Sequence, residues 1–396
     1  MYDSFYTLTE DVSCGIIIER DNIVFDGQNF TIYGNMEFES KGVTLQERRN
    51  VTIKNLKITA FYYGIWLSNS QNNKLIANIF TQCTSRSTLL SNSNSNIIHE
   101  NLMLKNRGRG ILFVNSHNNT VTQNKIVEGG CDAIIMHHSN YNLVAQNEII
   151  ENNGRGIWLG YSNNTVITEN KIFKNNYDGI KIYYSYNNLI FGNTISNNNC
   201  NGISLEASNN NTVTNNNFVN NFKNVMLTSS TKNTWNHQYP FGGNFWNDIP
   251  LEDNFRGPYQ NLSGSDGIVD RAFIIDEHNV DAYPLMGLLS EFNIYNNLTL
   301  YRISNWNIVN MSYIPSHGVL EISLFRPMEN DMFGFCLLRI PNELMFPPQM
   351  VIVNDTSKAC VKLFENKTLS IIYLEFSGST VEISIVSEFP SLFHYF

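Results

Sequence analysis

Asp132, Arg155 and Asp178 follow one another at intervals of 23 residues, and two carboxylates flanking a cation are the raw material of general acid and base chemistry. His137 and Lys181 lie within a few residues of that series and would supply a base. Trp66, Arg109, Trp158, Tyr161, Tyr183 and Tyr184 accompany them. Aromatic faces stack on sugar rings, and guanidinium groups pair with carboxylates, so this set suits a carbohydrate, above all an acidic one. Whether these side chains meet depends on why the interval is so regular.

Asn78, Asn101, Asn124, Asn147, Asn170, Asn193 and Asn216 keep the same interval of 23 without a slip, as do Ser70, Ser93, Ser116, Ser139, Ser162, Ser185 and Ser208. A unit of that length is too short for a helix pair and too regular for a sandwich, so each is one turn of a solenoid that buries its apolar face by stacking on its neighbours. Rows such as GIWLSNSQNNKLIANIFTQCTSR from Gly64 and GIWLGYSNNTVITENKIFKNNYD from Gly156 alternate apolar and variable residues. Period two means short strands with one face inward. Gly42 and Asn55 stand 22 and 23 positions before Gly64 and Asn78, which extends the series upstream. Parallel strands in successive coils lie about 4.8 Å apart and turn each column into a ladder. Asparagines in a ladder hydrogen-bond to the coils above and below, so the Asn and Ser columns are expected to line buried corners.

This geometry puts Asp132, Arg155 and Asp178 in one column on consecutive coils. Their carboxylates fall about 9–10 Å apart, near the upper limit for an inverting glycosidase pair. The plainer expectation is an ion-paired surface ladder in which Arg155 keeps both carboxylates ionised, whereas a proton donor needs a raised pKa. The third column reads Trp66, Leu89, Leu112, Ile135, Trp158, Lys181, Ser204, and its neighbours add His137, His138, Tyr161, Tyr183 and Tyr184. Together these form one exposed stripe edged by Tyr63, Arg86, Arg109, Asp132, Arg155 and Asp178.

Composition narrows the classes. A formal charge of −9 and a pI near 5.4 argue against nucleic acid, which demands a basic stripe. No run of 18 apolar residues exists to span a membrane, and Met1-Tyr-Asp-Ser does not read as a signal peptide. Asn-x-Ser/Thr sequons begin at Asn29, Asn50, Asn118, Asn163, Asn210, Asn261, Asn297, Asn310, Asn354 and Asn366, which leans towards a secreted glycoprotein. Cys131 and Cys200 share a column three coils apart, about 14 Å and too far for a disulfide. Cys336 and Cys360 are the one pair that a bridge is allowed to join.

The beat stops after Trp235. Residues 241–288, with FGGNFWNDI, GSDGIVD and DEHNVDAYPL, are aromatic and rich in Asp, as a cap over the apolar end of a solenoid should be. Asp266 and Asp270 in its Gly turn offer clustered oxygens, and calcium is the one metal they suggest. From residue 289 to 396 alternating segments such as VLEISLF, FGFCLLRI and SIIYLEF predict a small antiparallel β-sandwich. The chain thus divides into a parallel β-helix over 1–240, a cap over 241–288 and a sandwich over 289–396.

The opening YTLTEDVSCGIIIERDNIVFDGQNFTIYG, the rows ending N-N-T-V-T-x-N, and the GGNFWNDI…GSDGIVD…IIDEHNVDAYPL tail resemble the NosD-like right-handed parallel β-helix family. That family is similar to the carbohydrate-binding and sugar-hydrolase helices of the pectin-lyase superfamily. A sandwich behind such a tail resembles archaeal surface proteins. The resemblance covers about residues 5–287 and implies fold first, because function varies among these helices. The copper-delivery role of its name-giving member directs attention to Met136, His137 and His138, but adjacent strand residues point to opposite faces, so Met136 and His137 do not readily share an ion. The paired-Asp and Gly-His-Gly signatures of polygalacturonases and the Asp-Pro-His motif of alginate epimerases are missing. The sequence therefore favours an extracellular or cell-surface glycan-binding or adhesive module with a polysaccharide partner, ahead of a lyase, hydrolase or epimerase on the same stripe. A copper-binding protein of the NosD type comes third. Neither of the first two readings needs a cofactor.

Overall fold

The computed structural model describes residues 4–295, 298–325, 333–345, 347–378 and 380–387, so the sequon at Asn297 lies outside the described residues. The chain divides into two compact units, one comprising residues 1–234, 246–248 and 275–279, the other comprising 235–245, 249–274 and 280–396.

The first unit is the right-handed parallel β-helix that the 23-residue period predicts. Its strands form three parallel sheets, and each coil contributes one strand to each. The sheet that carries the outward stripe includes Lys41–Gln46, Tyr63–Ser68, Arg86–Ser91, Arg109–Val114, Ile134–His137, Ile157–Gly160, Ile180–Tyr183 and Asn201–Glu206. Ile65 pairs with Thr88, Thr88 with Ile111, and the register continues through Ile134, Ile157 and Ile180 to Ile203. The inward residues of this sheet, the Ile53-to-Val213 column of the second and the Ile58-to-Phe218 column of the third are all nearly inaccessible. Burying each such aliphatic side chain contributes about 1.5–3 kcal/mol, and the stack repeats that gain coil after coil.

Corners between sheets are turned by single residues in the left-handed backbone region. Glu100 (φ 55°), Gln123 (56°), Gln146 (58°) and Glu169 (56°) each precede an asparagine of the Asn78 column. The turn leaves the next backbone N–H without a strand partner, and the asparagine of the following coil accepts it. Asn147 N–H donates to Asn170 Oδ1 at 2.9 Å, Asn147 Nδ2 donates to the Val121 carbonyl at 2.9 Å, and Asn147 Oδ1 accepts from Asn124 N–H at 2.9 Å. The whole column from Asn78 to Asn216 is at most 1% exposed. The Ser70-to-Ser208 column does the same with hydroxyls, as in Ser139 N–H to Ser162 Oγ at 3.0 Å. Two further asparagine ladders run through Asn73, Asn96, Asn119 and Asn142, in the same corner as the serines, and through Asn152, Asn175 and Asn198, in the third corner.

Motif residues of the tail hold backbone. In the second unit Asp281 is fully buried and accepts from Asn244 N–H at 2.8 Å and Tyr283 N–H at 3.2 Å. Gly243 is required there because a Cβ would overlap the Asp281 carboxylate. In the first unit Trp246 stacks on Phe218 with centroids 4.5 Å apart.

The second unit also carries two five-stranded antiparallel sheets, one containing Leu298–Ser304, Phe333–Pro341 and Leu369–Ser377, the other Val319–Phe325, Pro348–Val353 and Thr380–Ser387. Leu300, Trp306, Ile322, Leu338, Leu374 and Ile383 pack between them as a sandwich core. The expected Cys336–Cys360 bridge is absent, since all six cysteines are free thiols. Cys336 is wholly buried beside Arg302 and Ser304, and burial pushes its thiol up to about 11, which leaves it protonated and inert.

Candidate functional site

The strands of the site sheet set out the stripe in register. Trp66, Leu89, Leu112, Ile135, Trp158, Lys181 and Ser204 form one ladder on the outer face, but Leu112, Ile135 and Ser204 are buried under their neighbours, so the expected exposed stripe is interrupted there. Trp66 and Trp158 are four coils apart, about 19 Å at the ladder spacing. Neither indole face is bare: Lys41 Nζ sits 4.1 Å from the Trp66 ring centroid and the Arg155 guanidinium 5.2 Å from that of Trp158. Each indole is partly exposed and meets its cation on one face.

The aromatic surface that stays open is one column over. At its position in the corner, Asn69, Asn92 and Asn115 each adopt φ 48°, a left-handed conformation that asparagine tolerates. In the next three coils that place is taken by His138 (φ 51°), Tyr161 (53°) and Tyr184 (45°). Their rings stack along the axis, His138 on Tyr161 with centroids 4.9 Å apart at 11°, and Tyr161 on Tyr184 at 5.4 Å and 18°. His137 and Tyr183 stand edge-on to them, and Gly160 lies between those two in register. Gly160 is buried, and a Cβ there would come within 3.3 Å of the His137 ring and 3.7 Å of Trp158, so the glycine lets these rings pack over the strand. Tyr161 and Tyr184 are 39% and 42% exposed. A hydrogen bond to Tyr161, then partial burial, pushes the Tyr183 phenol up and keeps it protonated. Burial, reinforced by His138, lowers the His137 pKa and favours its neutral form. The cluster is thus aromatic and rimmed by hydroxyls.

The five candidates for catalysis are largely engaged. Asp132 Oδ1 accepts from Arg155 N–H at 2.7 Å and faces Arg155 Nη1 at 3.5 Å, as the ladder reading expects. Asp178 departs from it. Its carboxylate is turned away from Arg155 to the following coil, where Oδ1 accepts from Asn201 N–H at 3.1 Å and Asn201 Nδ2 at 2.7 Å, and Oδ2 accepts from Ser204 Oγ at 2.9 Å. The cause is chemical: a buried carboxylate takes the nearest donors, and Asn201 and Ser204 present three. Lys181 pairs with Glu206 Oε2 at 2.8 Å. Met136 is wholly buried while His137 reaches the outer face, so the two point apart.

Asp266 and Asp270 hold loops in the second unit. Asp266 accepts from Gly257 N–H, Ile268 N–H and Gln260 Nε2, each at 3.1 Å, and Asp270 accepts from Asn254 N–H at 2.9 Å and Phe255 N–H at 3.0 Å. Oxygens already pointed at amide hydrogens fit a turn better than a cation. Among the described residues no group of three or more His, Cys, Asp or Glu is arranged around a metal position.

Next to Trp66 the sheet forms a groove of about 440 Å³ lined by Glu39, Lys41, Tyr63, Trp66, Arg86, Leu89, Ser91, Leu112 and Val114. Lys41 was not singled out by the residue pattern. The signal was present, because Lys41 precedes Tyr63 by the same 22 positions that separate Gly42 from Gly64.

The profile of the family described as periplasmic copper-binding protein (NosD) matches residues 108–250, and that of the right-handed β-helix region matches residues 14–163. The chain is a NosD-like right-handed β-helix. Among solved structures, the ORF18 protein of Geobacillus virus E2 is similar to it over 98% of this chain and 70% of its own, with 12% identity and a TM-score of 0.52. An exopolygalacturonase from Thermotoga maritima aligns over 54% of this chain and 72% of its own, with 12% identity and a TM-score of 0.48. A mannuronan C-5 epimerase module from Azotobacter vinelandii aligns over 58% and 80%, with 14% identity and a TM-score of 0.42. No curated protein matches the NosD-like chain in sequence. At these identities the likeness is one of fold. No helix of the described residues is long and apolar enough to cross a membrane.

Proposed function

We propose that this NosD-like β-helix is a non-catalytic glycan-binding module, adhesive or structural, that works outside the cytoplasm. The observation that carries the reading is the His138–Tyr161–Tyr184 stack, three aromatic rings held at left-handed positions that asparagine occupies in the three preceding coils. Strained backbone under an exposed aromatic ladder is a cost to folding with a return in ligand contact. Tyrosine faces with hydroxyl rims suit sugar rings, which are apolar on one side and polar at the edge. The engagement of Asp178, Lys181 and Asp132 with protein partners supports binding over turnover, since a general acid or base must have a free proton route. A periplasmic family description supports placement in the envelope or beyond it.

The test is a panel of neutral and acidic polysaccharides offered to the wild type, with every bound polymer then analysed for products. Binding without new reducing ends, unsaturated uronate absorbance or a changed uronate epimer ratio is the expected result. Turnover that disappears in D132N/D178N would replace this reading with the enzyme.

A further inference from the structure

Several described cations of this chain are paired with a carboxylate on an adjacent coil. Lys105 pairs with Glu128, Lys125 with Glu148, Lys174 with Glu151, and on the site sheet Arg155 pairs with Asp132 and Lys181 with Glu206. The column that holds Asp132 and Arg155 has no such pair in its upstream half. Lys41, Tyr63, Arg86 and Arg109 are in register on four consecutive coils, and among the described residues no carboxylate lies within ion-pair distance of Lys41, Arg86 or Arg109. The Nε atoms of Arg86 and Arg109 are buried and have no hydrogen-bond partner. Arg86 reaches Ser85 Oγ at 2.9 Å and leans over the Tyr63 ring, while Lys41 rests on Trp66.

Arg86 and Arg109 are neighbours in the column, and like charges on neighbouring coils repel. An anion beside them relieves that repulsion. The groove lined by Lys41 and Arg86 has an apolar floor of Leu89, Leu112 and Val114 and an aromatic wall of Tyr63 and Trp66, with Glu39 as its one acidic lining residue. That combination takes a ring with an anionic substituent: the ring against the floor, the charge against the Lys41 ammonium and the Arg86 guanidinium, with Arg109 one coil further along the column.

We infer that the groove lined by Lys41 and Arg86, with Arg109 on the next coil, is an anion-selecting subsite, and that the glycan bound by this face is acidic, carrying carboxylate or sulfate ester groups. This rests on the glycan-binding reading. Arg109 lies two coils from Tyr161 along the axis, about 10 Å, and six residues, about 20 Å, across the sheet, so a chain crossing the face obliquely meets the anion subsite and the aromatic stack together.

Affinities of the wild type, R86Q/R109Q, R86K/R109K and Y161N/Y184N for polygalacturonate, dextran sulfate and neutral dextran test it. Polygalacturonate offers only carboxylates and dextran sulfate only sulfates, so the tighter of the two identifies the group. The wild type is expected to prefer one anionic polymer to dextran, with a loss of about tenfold in R86Q/R109Q, a smaller loss in R86K/R109K, and no change in K171Q, a cation on another sheet. Equal affinity for dextran, or R86Q/R109Q binding as well as the wild type, overturns the anion subsite. If Y161N/Y184N alone loses binding, the aromatic stack stands and the anion subsite falls. If R86Q/R109Q alone loses it, the subsite stands and the stack falls. Absence of binding to all three polymers overturns both.

Discussion

Tyr161 and Tyr184 lie face to face across adjacent coils, centroids 5.4 Å apart and planes 18° from parallel, although each sits at positive φ. A left-handed conformation costs an ordinary L-residue about 1–2 kcal/mol, which asparagine largely escapes. Asparagine is abundant here and fills that place in the coils of Asn69, Asn92 and Asn115. The tyrosines therefore interrupt a solution the chain already uses, at the site where its outward face is most aromatic.

The buried ladders carry the fold more than any single strand does. Leucine at Asn147 would strand the Asn124 N–H and the Val121 carbonyl in an interior without water. Asn147→Leu should lower unfolding free energy by about 2–4 kcal/mol in a denaturant titration. A change below about 0.5 kcal/mol would mean that the ladder is decoration.

The two aspartates of the stripe should separate in their effects. Asp178 is 8% exposed and satisfies three donors, so Asp178→Ala should cost about 1–3 kcal/mol of stability. Asp132 keeps more contact with solvent, and Asp132→Asn, which retains an acceptor for Arg155 N–H, should shift the melting temperature little. Equal losses would contradict the assignment of Asp178 to the scaffold.

Stability should also depend on pH through Asp253. Burial raises its carboxyl from 3.8 to about 8, against the pull of backbone N–H groups of Gly267 and Asp266. The raised folded value means that its stabilising contribution is present in full below pH 4 and is lost as pH rises through about 8. Asp266, also raised by burial, acts in the same sense. Melting temperatures of the second unit should fall between pH 5 and pH 8, and Asp253→Asn should flatten that slope. Parallel curves for the two proteins would refute the linkage.

The period of 23 made the coils, the register from Ile65 to Ile203 and the buried Asn78-to-Asn216 corner legible, because each is set by where a residue falls in a repeat. Direction along the axis was not. Arg155 and Asp178 sit in their predicted column, but a long side chain leans one coil up or down according to which donor or ring it finds. Thus Lys41 covers Trp66, Arg155 covers Trp158, and Asp178 turns to Ser204. Left-handed corners were visible as asparagine columns only where asparagine remained. At Tyr161 and Tyr184 the departure from that column was itself the signal.

Paired measurements of stability and affinity on Y161N/Y184N test the central claim most directly. Asparagine restores the residue that the corner prefers, so the melting temperature should hold or rise, while affinity for the best glycan should fall about tenfold or more as the stacking surface disappears. A variant that melts lower and binds the glycan as tightly as the wild type would contradict the account, because the tyrosines would then serve the fold and not the ligand.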